Sequence, residues 1–282
     1  MRFLNTKGAF LLFRLKEDKM CRKLLTIGFC FCVIGLLVGN AYAANYVWNG
    51  DGDGTSWEDA DNWREDAVPS STDDAIVKTG TCHVDADTGS VSILEGYVPK
   101  GSTDGGSLNI DTGGTLTTSG VFYMGRYGSG ADGELNIDGG TLNVGHLRTR
   151  GMDHEINLNS GTVNVDGWLT TGWNSGAGVE NLCTTINING GDLNVDDGVR
   201  FGNSVNSGAS DVNMTGGTLT VDGGTLRMPS ATGSTSHIQL DGGTINVLAG
   251  LQMGEYGDKG AGTMEIGPDG TLVIAGNAVS QI

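Results

Sequence analysis

Leu135-Asn-Ile-Asp-Gly-Gly-Thr-Leu-Asn-Val144 is the stretch that decides the fold, because related stretches recur along the chain. Seven copies occur, at residues 108–116, 135–144, 156–165, 186–195, 212–221, 238–247 and 264–274. The second half of each copy begins at a turn glycine, and these are Gly114, Gly140, Gly161, Gly191, Gly217, Gly243 and Gly270. The spacings between them are 26, 21, 30, 26, 26 and 27 residues. A period of this size predicts stacked supersecondary units.

Apolar and polar residues alternate within each copy. In the copy at 135–144, Leu135 and Ile137 fall on one side, while Asn136 and Asn143 fall on the other. This period of two predicts strands with one buried face. The Gly-Gly corner supplies residues that tolerate the positive φ of a tight bend. A third apolar segment and a loose Gly/Ser/Ala loop complete each unit.

Three short strands and a loop in each unit predict one coil of a right-handed parallel β-helix. About seven coils of about 26 residues, stacked at about 4.8 Å, would make a rod of roughly 30 Å plus a cap. A string of hairpins is the competing interpretation, because Asp-Gly between alternating strands is also a hairpin signal. The coil is favoured because the third strand and the loop recur in phase, and an isolated hairpin cannot bury its apolar face.

The composition agrees with an all-β chain and is strongly acidic. The 282 residues include 49 Gly without a Gly-X-Y period, which excludes collagen. Seven of the 16 Lys/Arg and two of the 33 Asp/Glu fall in residues 1–43, which leaves 9 basic and 31 acidic residues, a net charge of −22. Binding of nucleic acid through the bulk surface is therefore excluded, because attraction to phosphates requires positive charge.

Residues 1–43 are predicted to be an export signal. Residues 20–23 form a short basic segment, residues 24–38 form an apolar run, and Asn40-Ala-Tyr-Ala43 is a small-x-small cleavage site. Met20 is expected to be the true start, with cleavage after Ala43. The apolar run is short for a membrane span, so the mature chain is predicted to have none. Cys82 and Cys183 would remain, several strand spacings apart and beyond disulfide reach.

Residues 44–103 are predicted to form an N-terminal cap and the first strands, ahead of repeats at 104–282. Trp48, Trp57 and Trp63 lie here. The first coil of a solenoid exposes apolar side chains and unpaired strand edges, and large rings cover such an end well. A platform on which sugars stack is the alternative. The first strands are expected at 75–77, 82–84 and 91–94.

Asn49-Gly-Asp-Gly-Asp-Gly54 resembles the start of a calcium-binding loop, with oxygen ligands at alternate positions and then a turn glycine. Asp51 and Asp53 are therefore candidate calcium ligands, although the chain as a whole is predicted to need no cofactor. The pattern then departs, because Ala60 stands where a bidentate Glu is required. A solvated acidic turn is the alternative.

The Leu-Asn-Ile-x-Gly-Gly-Thr-Leu-Asn-Val unit resembles the glycine-rich strand repeats of autotransporter passengers. It is also similar to repeats in exported surface proteins with PEP-CTERM-type sorting tails, and such proteins begin with stretches similar to Trp48…Trp57…Trp63…Pro69…Asp74. The resemblance covers nearly all of residues 45–282. It implies a β-helix exported to the surface of a Gram-negative bacterium, and it implies no shared activity. No sorting tail precedes Ile282, so a truncated sequence or a released protein is expected.

The third strands are predicted to align one outward row, formed by Tyr123, Arg148, Thr170, Arg200, Arg227 and Gln252. Trp173 and Tyr256 follow in the adjoining turns. A guanidinium pairs with carboxylate or sulfate while a ring stacks on a sugar. Candidate ligand-binding residues for acidic polysaccharide are therefore Arg148, Arg200, Arg227, Trp173 and Tyr256. The alternative is that each Arg pairs with a nearby Asp or Glu and reduces self-repulsion.

The second strands predict a flat, neutral row of Thr and Asn, running from Thr115 to Thr271. Such residues form strands well and make ladders of hydrogen bonds between coils. A lattice that adsorbs to a glycan sheet or to ice is the alternative.

One segment of the sequence is a candidate for a catalytic site. It contains His146, Arg148, Arg150, Asp153 and His154. Lyases and glycoside hydrolases on β-helices need clustered carboxylates with a basic residue. The segment coincides with the shortest repeat, which leaves little loop for a cleft. His154 is expected on the surface at the start of a strand, so no catalytic residue is predicted.

The sequence as a whole predicts an exported structural or adhesive protein that presents a repetitive face. The first alternative is a carbohydrate-binding module for acidic polysaccharide, and the second is a polysaccharide lyase or glycoside hydrolase. An exposed edge on the last coil would favour further coils, a partner or end-to-end self-association.

Overall fold

Parallel strands make up most of the architecture. The computed structural model describes residues 43–96, 106–125, 133–151, 153–173, 182–203, 208–254 and 260–275. In chain order the strands are β1 Asn45–Val47, β2 Asp74–Ile76, β3 Gly80–Val84, β4 Asp87–Val91, β5 Ile93–Gly96, β6 Gly106–Asp111, β7 Thr115–Met124, β8 Glu134–Thr149, β9 His154–Val165, β10 Trp168–Thr170, β11 Leu182–Ile188, β12 Asp192–Val195, β13 Gly198–Arg200, β14 Gly208–Val221, β15 Thr225–Met228, β16 Ser234–Val247, β17 Gly250–Met253 and β18 Gly260–Ile274. A short 3-10 helix, Ala60–Asn62, lies between β1 and β2.

Each strand pairs in parallel with its equivalent in the next coil, which produces three faces. The first face contains β3, β6, β11 and the opening parts of β8, β9, β14, β16 and β18. The second contains β4, β12 and the segments that start at Thr115, Thr141, Thr162, Thr218, Thr244 and Thr271. The third contains β1, β2, β5, β10, β13, β15, β17 and the ends of β7 and β8.

The resulting β-solenoid has about seven turns with a spacing of about 26 residues. This confirms the predicted parallel β-helix and shows that the string of hairpins is wrong. The first complete coil consists of β3, β4 and β5, which pair with β6 and β7. The stack therefore begins within residues 44–103, ahead of the first copy of the repeat.

The inward residues form one continuous apolar core. On the first face one inward row contains Leu108, Leu135, Ile156, Ile186, Val212 and Ile238, each at most 4% exposed. Complete burial of a side chain of this size stabilises a fold by about 1.5–3 kcal/mol. The alternation in sequence therefore decides which side of each strand faces inward, and the stacking joins these sides into a core.

The turn glycines are required for two different reasons. Gly217 and Gly243 have φ of +70° and +80°, a conformation that L side chains rarely adopt. At Gly140 the positive φ falls instead on the preceding Gly139, and a Cβ on Gly140 would lie 2.5 Å from the backbone oxygen of Asp111. Some corners therefore need glycine for its φ, and others need it because the previous coil passes so close.

Three tryptophans close the N-terminal end of the core, which confirms the predicted aromatic cap. Trp48, Trp57 and Trp63 are each at most 1% exposed. The ring centroids of Trp48 and Trp63 lie 5.3 Å apart, those of Trp57 and Trp63 lie 4.7 Å apart, and both pairs meet edge to face. Such pairs stabilise beyond the area that they bury.

The backbone of the cap also covers strand edges. The N–H of His83 donates to the oxygen of Thr55 at 2.7 Å, and the N–H of Trp57 donates to the oxygen of His83 at 2.9 Å, along the free edge of β3. β1 pairs with β2 on the third face. Cap residues thus occupy the first edge of both the first and the third face.

The last described strand, β18, is more exposed than the coils before it. Ile266 is 50% exposed, whereas its register partner Leu240 is fully buried. Cys82 and Cys183 are both free thiols. In the described residues no helix is long and apolar enough to cross a membrane.

Candidate functional site on the third face

The third face carries one row of outward residues in strict register. Pairing of the strands joins Tyr123 to Arg148, then Thr170, Arg200, Arg227 and Gln252 in succession. Successive members stand one strand spacing apart, about 4.8 Å. Glu95 precedes Tyr123 in the same register. The row contains three arginines that the sequence scatters over about 80 residues.

Two rings and two guanidinium groups meet at the N-terminal half of this row. The ring centroids of Tyr123 and Trp173 are 6.3 Å apart, with planes tilted by 34°. The Cζ atoms of Arg148 and Arg150 lie 5.0 and 5.6 Å from the centroid of the Trp173 ring. Both distances are within the range of cation–π attraction. We refer to Tyr123, Arg148, Arg150 and Trp173 as the Trp173 cluster.

A second arginine–tryptophan contact lies farther along the same face. The Cζ of Arg200 is 4.0 Å from the centroid of the Trp168 ring. Arg227 is the next residue of the row, and its Nε donates to the Oγ1 of Thr225 at 3.3 Å. The side chains of Trp168, Arg200 and Arg227 are all half-buried. We refer to Trp168 and Arg200 as the Trp168 pair.

His146 precedes Arg148 on β8 and contacts the backbone of Trp168, and it is held as a neutral donor. Its Nδ1 accepts the backbone N–H of Trp168 at 2.9 Å, so the proton of the neutral ring is on Nε2. Burial lowers the pKa of His146 and the charge of Arg148 lowers it further, against an opposing contribution from Asp197. At neutral pH His146 therefore presents an Nε2–H donor and has no free lone pair with which to act as a base.

Together these groups can bind anions and sugar rings. A guanidinium that stacks by its flat face keeps its N–H groups at the edge, where they can pair with carboxylate or sulfate. Half-exposed Trp and Tyr rings can stack on the apolar face of a pyranose. Guanidinium donors and ring faces predominate among the described residues of this row.

The structure brings together four of the five candidate ligand-binding residues. Arg148, Arg200, Arg227 and Trp173 lie on the third face, whereas Tyr256 lies outside the described residues. The sequence analysis missed Arg150 and Trp168 as members of the same surface. Trp168 stands two positions before Thr170 on β10, so the period-two rule could have placed it outward. Arg150 had no such signal, because it follows the end of β8.

The structure separates the two histidines of the candidate catalytic segment. His154 is 1% exposed, so the expectation that it lies on the surface is wrong. Its Nδ1 accepts the N–H of Gly133 at 3.1 Å, and its Nε2 donates to the oxygen of Arg150 at 3.0 Å. It faces inward because it occupies the corner between the third and first faces, where Gly125 and Gly133 leave space for the ring. His146, by contrast, lies on the third face.

Polar side chains of the first face form a ladder that runs along the stack. Each Asn Nδ2 donates to the Oδ1 of the Asn in the preceding coil, at 2.8–3.0 Å, from Asn213 through Asn187, Asn157 and Asn136 to Asn109. His83 ends the ladder, with its Nε2 at 3.2 Å from the Nδ2 of Asn109 and its Nδ1 at 2.7 Å from the Oδ2 of Asp111.

The second face has a shorter ladder of the same kind. Asn194 donates to Asn164 at 3.0 Å, Asn164 donates to Asn143 at 2.8 Å, and Asn143 donates to the hydroxyl of Thr117 at 3.2 Å. The predicted Thr/Asn row is thus hydrogen-bonded between coils in its middle part. Amides that serve each other in this way stabilise the stack.

The acidic turn at residues 49–54 is organised by its own hydrogen bonds. The Oδ1 of Asp53 accepts the backbone N–H groups of Thr55 and Ser56, both at 2.8 Å, and the Nδ2 of Asn62 at 2.7 Å. The N–H of Ser56, then that of Thr55, and the Asn62 amide lower the pKa of Asp53. Asp51 accepts from the Nδ2 of Asn49 at 2.8 Å. The described ranges contain no group of three or more His, Cys, Asp or Glu placed to hold a metal.

Comparisons with family models, with curated proteins and with solved structures find no match to this chain. A functional conclusion therefore depends on the geometry of the faces.

Proposed function

We propose that the chain is an exported structural or adhesive protein of a bacterial surface or extracellular matrix. The stacked coils act as a stiff rod, and the faces of the rod act as repetitive contact surfaces. The observation that carries this proposal is the register of the stack, which aligns equivalent outward residues from coil to coil. The amide ladder from Asn109 to Asn213 illustrates this repetition on the first face.

The chemistry of the described surface favours this proposal over an enzyme. A lyase or hydrolase would need a base or a pair of carboxylates beside a cleft. His146 has its lone pair engaged by Trp168, and His154 is enclosed. Neither is placed to take a proton from a substrate.

End-to-end association belongs to the same proposal. Ile266 and Ile274 are exposed apolar residues of β18, the last described strand, and they fit a strand that pairs with a second copy, because exposed strand edges pair readily. Size-exclusion chromatography at several concentrations would show growth in mass. A mass that stays monomeric up to high concentration would remove this part of the proposal.

Export is tested by producing the full chain in a Gram-negative host. We expect the protein in the periplasm or medium, with Ala44 as its first residue by N-terminal sequencing. A variant with Ala41→Arg and Ala43→Arg serves as the control, since charged residues at these positions block cleavage. An intact N-terminus on protein that stays in the cytoplasm would overturn the proposal.

A further inference from the structure

Four of the six Lys and Arg in the described ranges lie on or beside the third face. Residues 44–282 contain nine Lys and Arg in total, against 31 Asp and Glu. The four on or beside the third face are Arg148, Arg150, Arg200 and Arg227. These four lie in or beside one row of the stack. The rest of this acidic surface repels anions, so an anionic ligand would be directed to this one stripe.

The stripe combines charge with ring faces. Arg148 and Arg150 lie over Trp173, Tyr123 lies beside the same ring, and Arg200 lies over Trp168. Stacking pre-organises a guanidinium, so less freedom is lost when it pairs with a ligand. His146, whose Nδ1 accepts the backbone N–H of Trp168, adds an Nε2–H donor to this face.

The spacing along the stack indicates a polymer. Arg148 and Arg200 are separated by two coils, or about 10 Å, and Arg227 lies one coil, or about 5 Å, beyond Arg200. A single small anion cannot reach both ends of such a row. A chain with acidic groups at intervals, and with flat apolar faces between them, matches guanidinium groups that alternate with rings.

The charge density distinguishes acidic polysaccharide from nucleic acid. Nucleic acid carries one charge per about 1.7 Å as a duplex and one per about 3.4 Å as a single strand, and its binding requires neutralisation of many adjacent phosphates. The third face offers one guanidinium per about 5–10 Å, and residues 44–282 carry a net charge of −22. A polymer with more widely spaced charges than nucleic acid is repelled less by the acidic surface, and its acidic groups can still pair with each arginine.

We propose that the third face is a binding site for an acidic polysaccharide, which lies along the stack from Tyr123 to Arg227. The Trp173 cluster and the Trp168 pair each hold one acidic sugar, by a guanidinium to its carboxylate or sulfate and by a ring against its face. This inference rests on the proposed extracellular role, since it names the partner to which the rod adheres.

Binding is tested with protein purified after expression of the full chain. The probes are polygalacturonate for carboxylate, dextran sulfate for sulfate, dextran as the neutral polymer and single-stranded poly(dT) as a nucleic acid. Calorimetry gives the affinity, and tryptophan fluorescence reports on Trp168 and Trp173. We expect binding to polygalacturonate, to dextran sulfate or to both, with dextran and poly(dT) at least tenfold weaker.

Variants then locate the site. Arg148→Gln should weaken binding about tenfold, and Arg148→Gln with Arg200→Gln about 100-fold, because each removes a charge-assisted pair. Arg148→Lys keeps the charge but loses the planar fork, so it should fall between the wild type and Arg148→Gln. Arg64→Gln is the matched control, since Arg64 is an exposed arginine of the cap that pairs with Glu65. It should bind as the wild type does.

Circular dichroism and thermal unfolding establish that each variant is folded before its affinity is compared. Equal affinity for dextran, tighter binding of poly(dT), or unchanged binding by the folded double variant would each overturn the site. Export of a protein that binds none of the probes would overturn the site alone and leave the structural role in place. Failure of export, with binding retained, would overturn the extracellular role alone.

Discussion

The first and third faces share one strand register but use their outward residues differently. On the first face each amide donates to one coil and accepts from another, so the polar groups of the ladder serve one another. On the third face guanidinium groups lie against rings and stay half-exposed. Identical backbone geometry thus supports both a stabilising surface and a surface suited to a ligand. The difference lies in the side chains, because an amide has both a donor and an acceptor and can bond its equivalent in the next coil, whereas a guanidinium has donors only.

The largest expected effect is on the free energy of unfolding. It should fall more when a buried ring at the start of the first face is removed than when a half-exposed ring on the third face is removed. Trp57→Ala removes a fully buried ring beside the edge of β3 and should lower the free energy of unfolding by about 3–5 kcal/mol. Trp168→Ala should cost about 1–2 kcal/mol, since its ring is half-exposed and contacts Arg200. Urea unfolding measures both. Equal costs would mean that the cap does not close the core.

A smaller effect is expected in the middle of the amide ladder. Asn157→Ala removes the donor to the Oδ1 of Asn136 and one of the two acceptors of the Asn187 Nδ2, which still donates to the Oε1 of Glu155. The variant should cost about 1 kcal/mol. Thr162→Ala, at an outward position of the second face on the same strand, should cost no more than about 0.5 kcal/mol. Polysaccharide binding should be unchanged in both. A ladder variant as stable as the Thr162 variant would show that the amides do not support the stack.

The smallest effect concerns the titration of His146. Burial and Arg148 lower the pKa of His146, so the unfolded chain binds this proton more readily than the folded chain. The stabilisation is therefore complete above the unfolded pKa of about 6.5 and is lost as the pH falls from there through the lower pKa of the folded state. Arg148→Gln should raise the pKa of His146 and reduce this loss. NMR titration of the imidazole measures the change, with Arg64→Gln as the control. An unchanged pKa in Arg148→Gln would place the guanidinium too far from the ring to matter.

Alternation and repetition predicted the architecture correctly because both are local properties with a simple geometric consequence. The two-residue alternation of apolar and polar residues selects the buried side of each strand. The nearly constant spacing of about 26 residues lets each strand pair with its equivalent in the next coil. The tryptophan cap followed from the same argument, since the first coil of any stack needs cover. The row from Tyr123 to Gln252 could be aligned because one residue per coil occupies each register position.

The same rule failed where inward residues are polar. Thr149 and Thr184 are buried and their hydroxyls lie 2.7 Å apart, and the hydroxyls of Thr171 and Ser210 lie 2.6 Å apart. His154 belongs to this corner between the third and first faces. Hydroxyls and an imidazole can be buried there because they form hydrogen bonds with one another and with the backbone. Period two carries no information about such partners, which are remote in sequence.

The local order of residues was sufficient to establish the coil, its period, the buried side of each strand and the residues that share a row. Each of these depends on spacing along the chain, and the strand geometry converts spacing into position. The folded molecule was needed to show that Trp173 returns over Arg148 and Arg150, that His146 keeps its proton on Nε2, and that His154 is enclosed. These outcomes depend on the path of turns and on contacts between coils. Such contacts join residues through packing, which the order of residues along the chain does not specify.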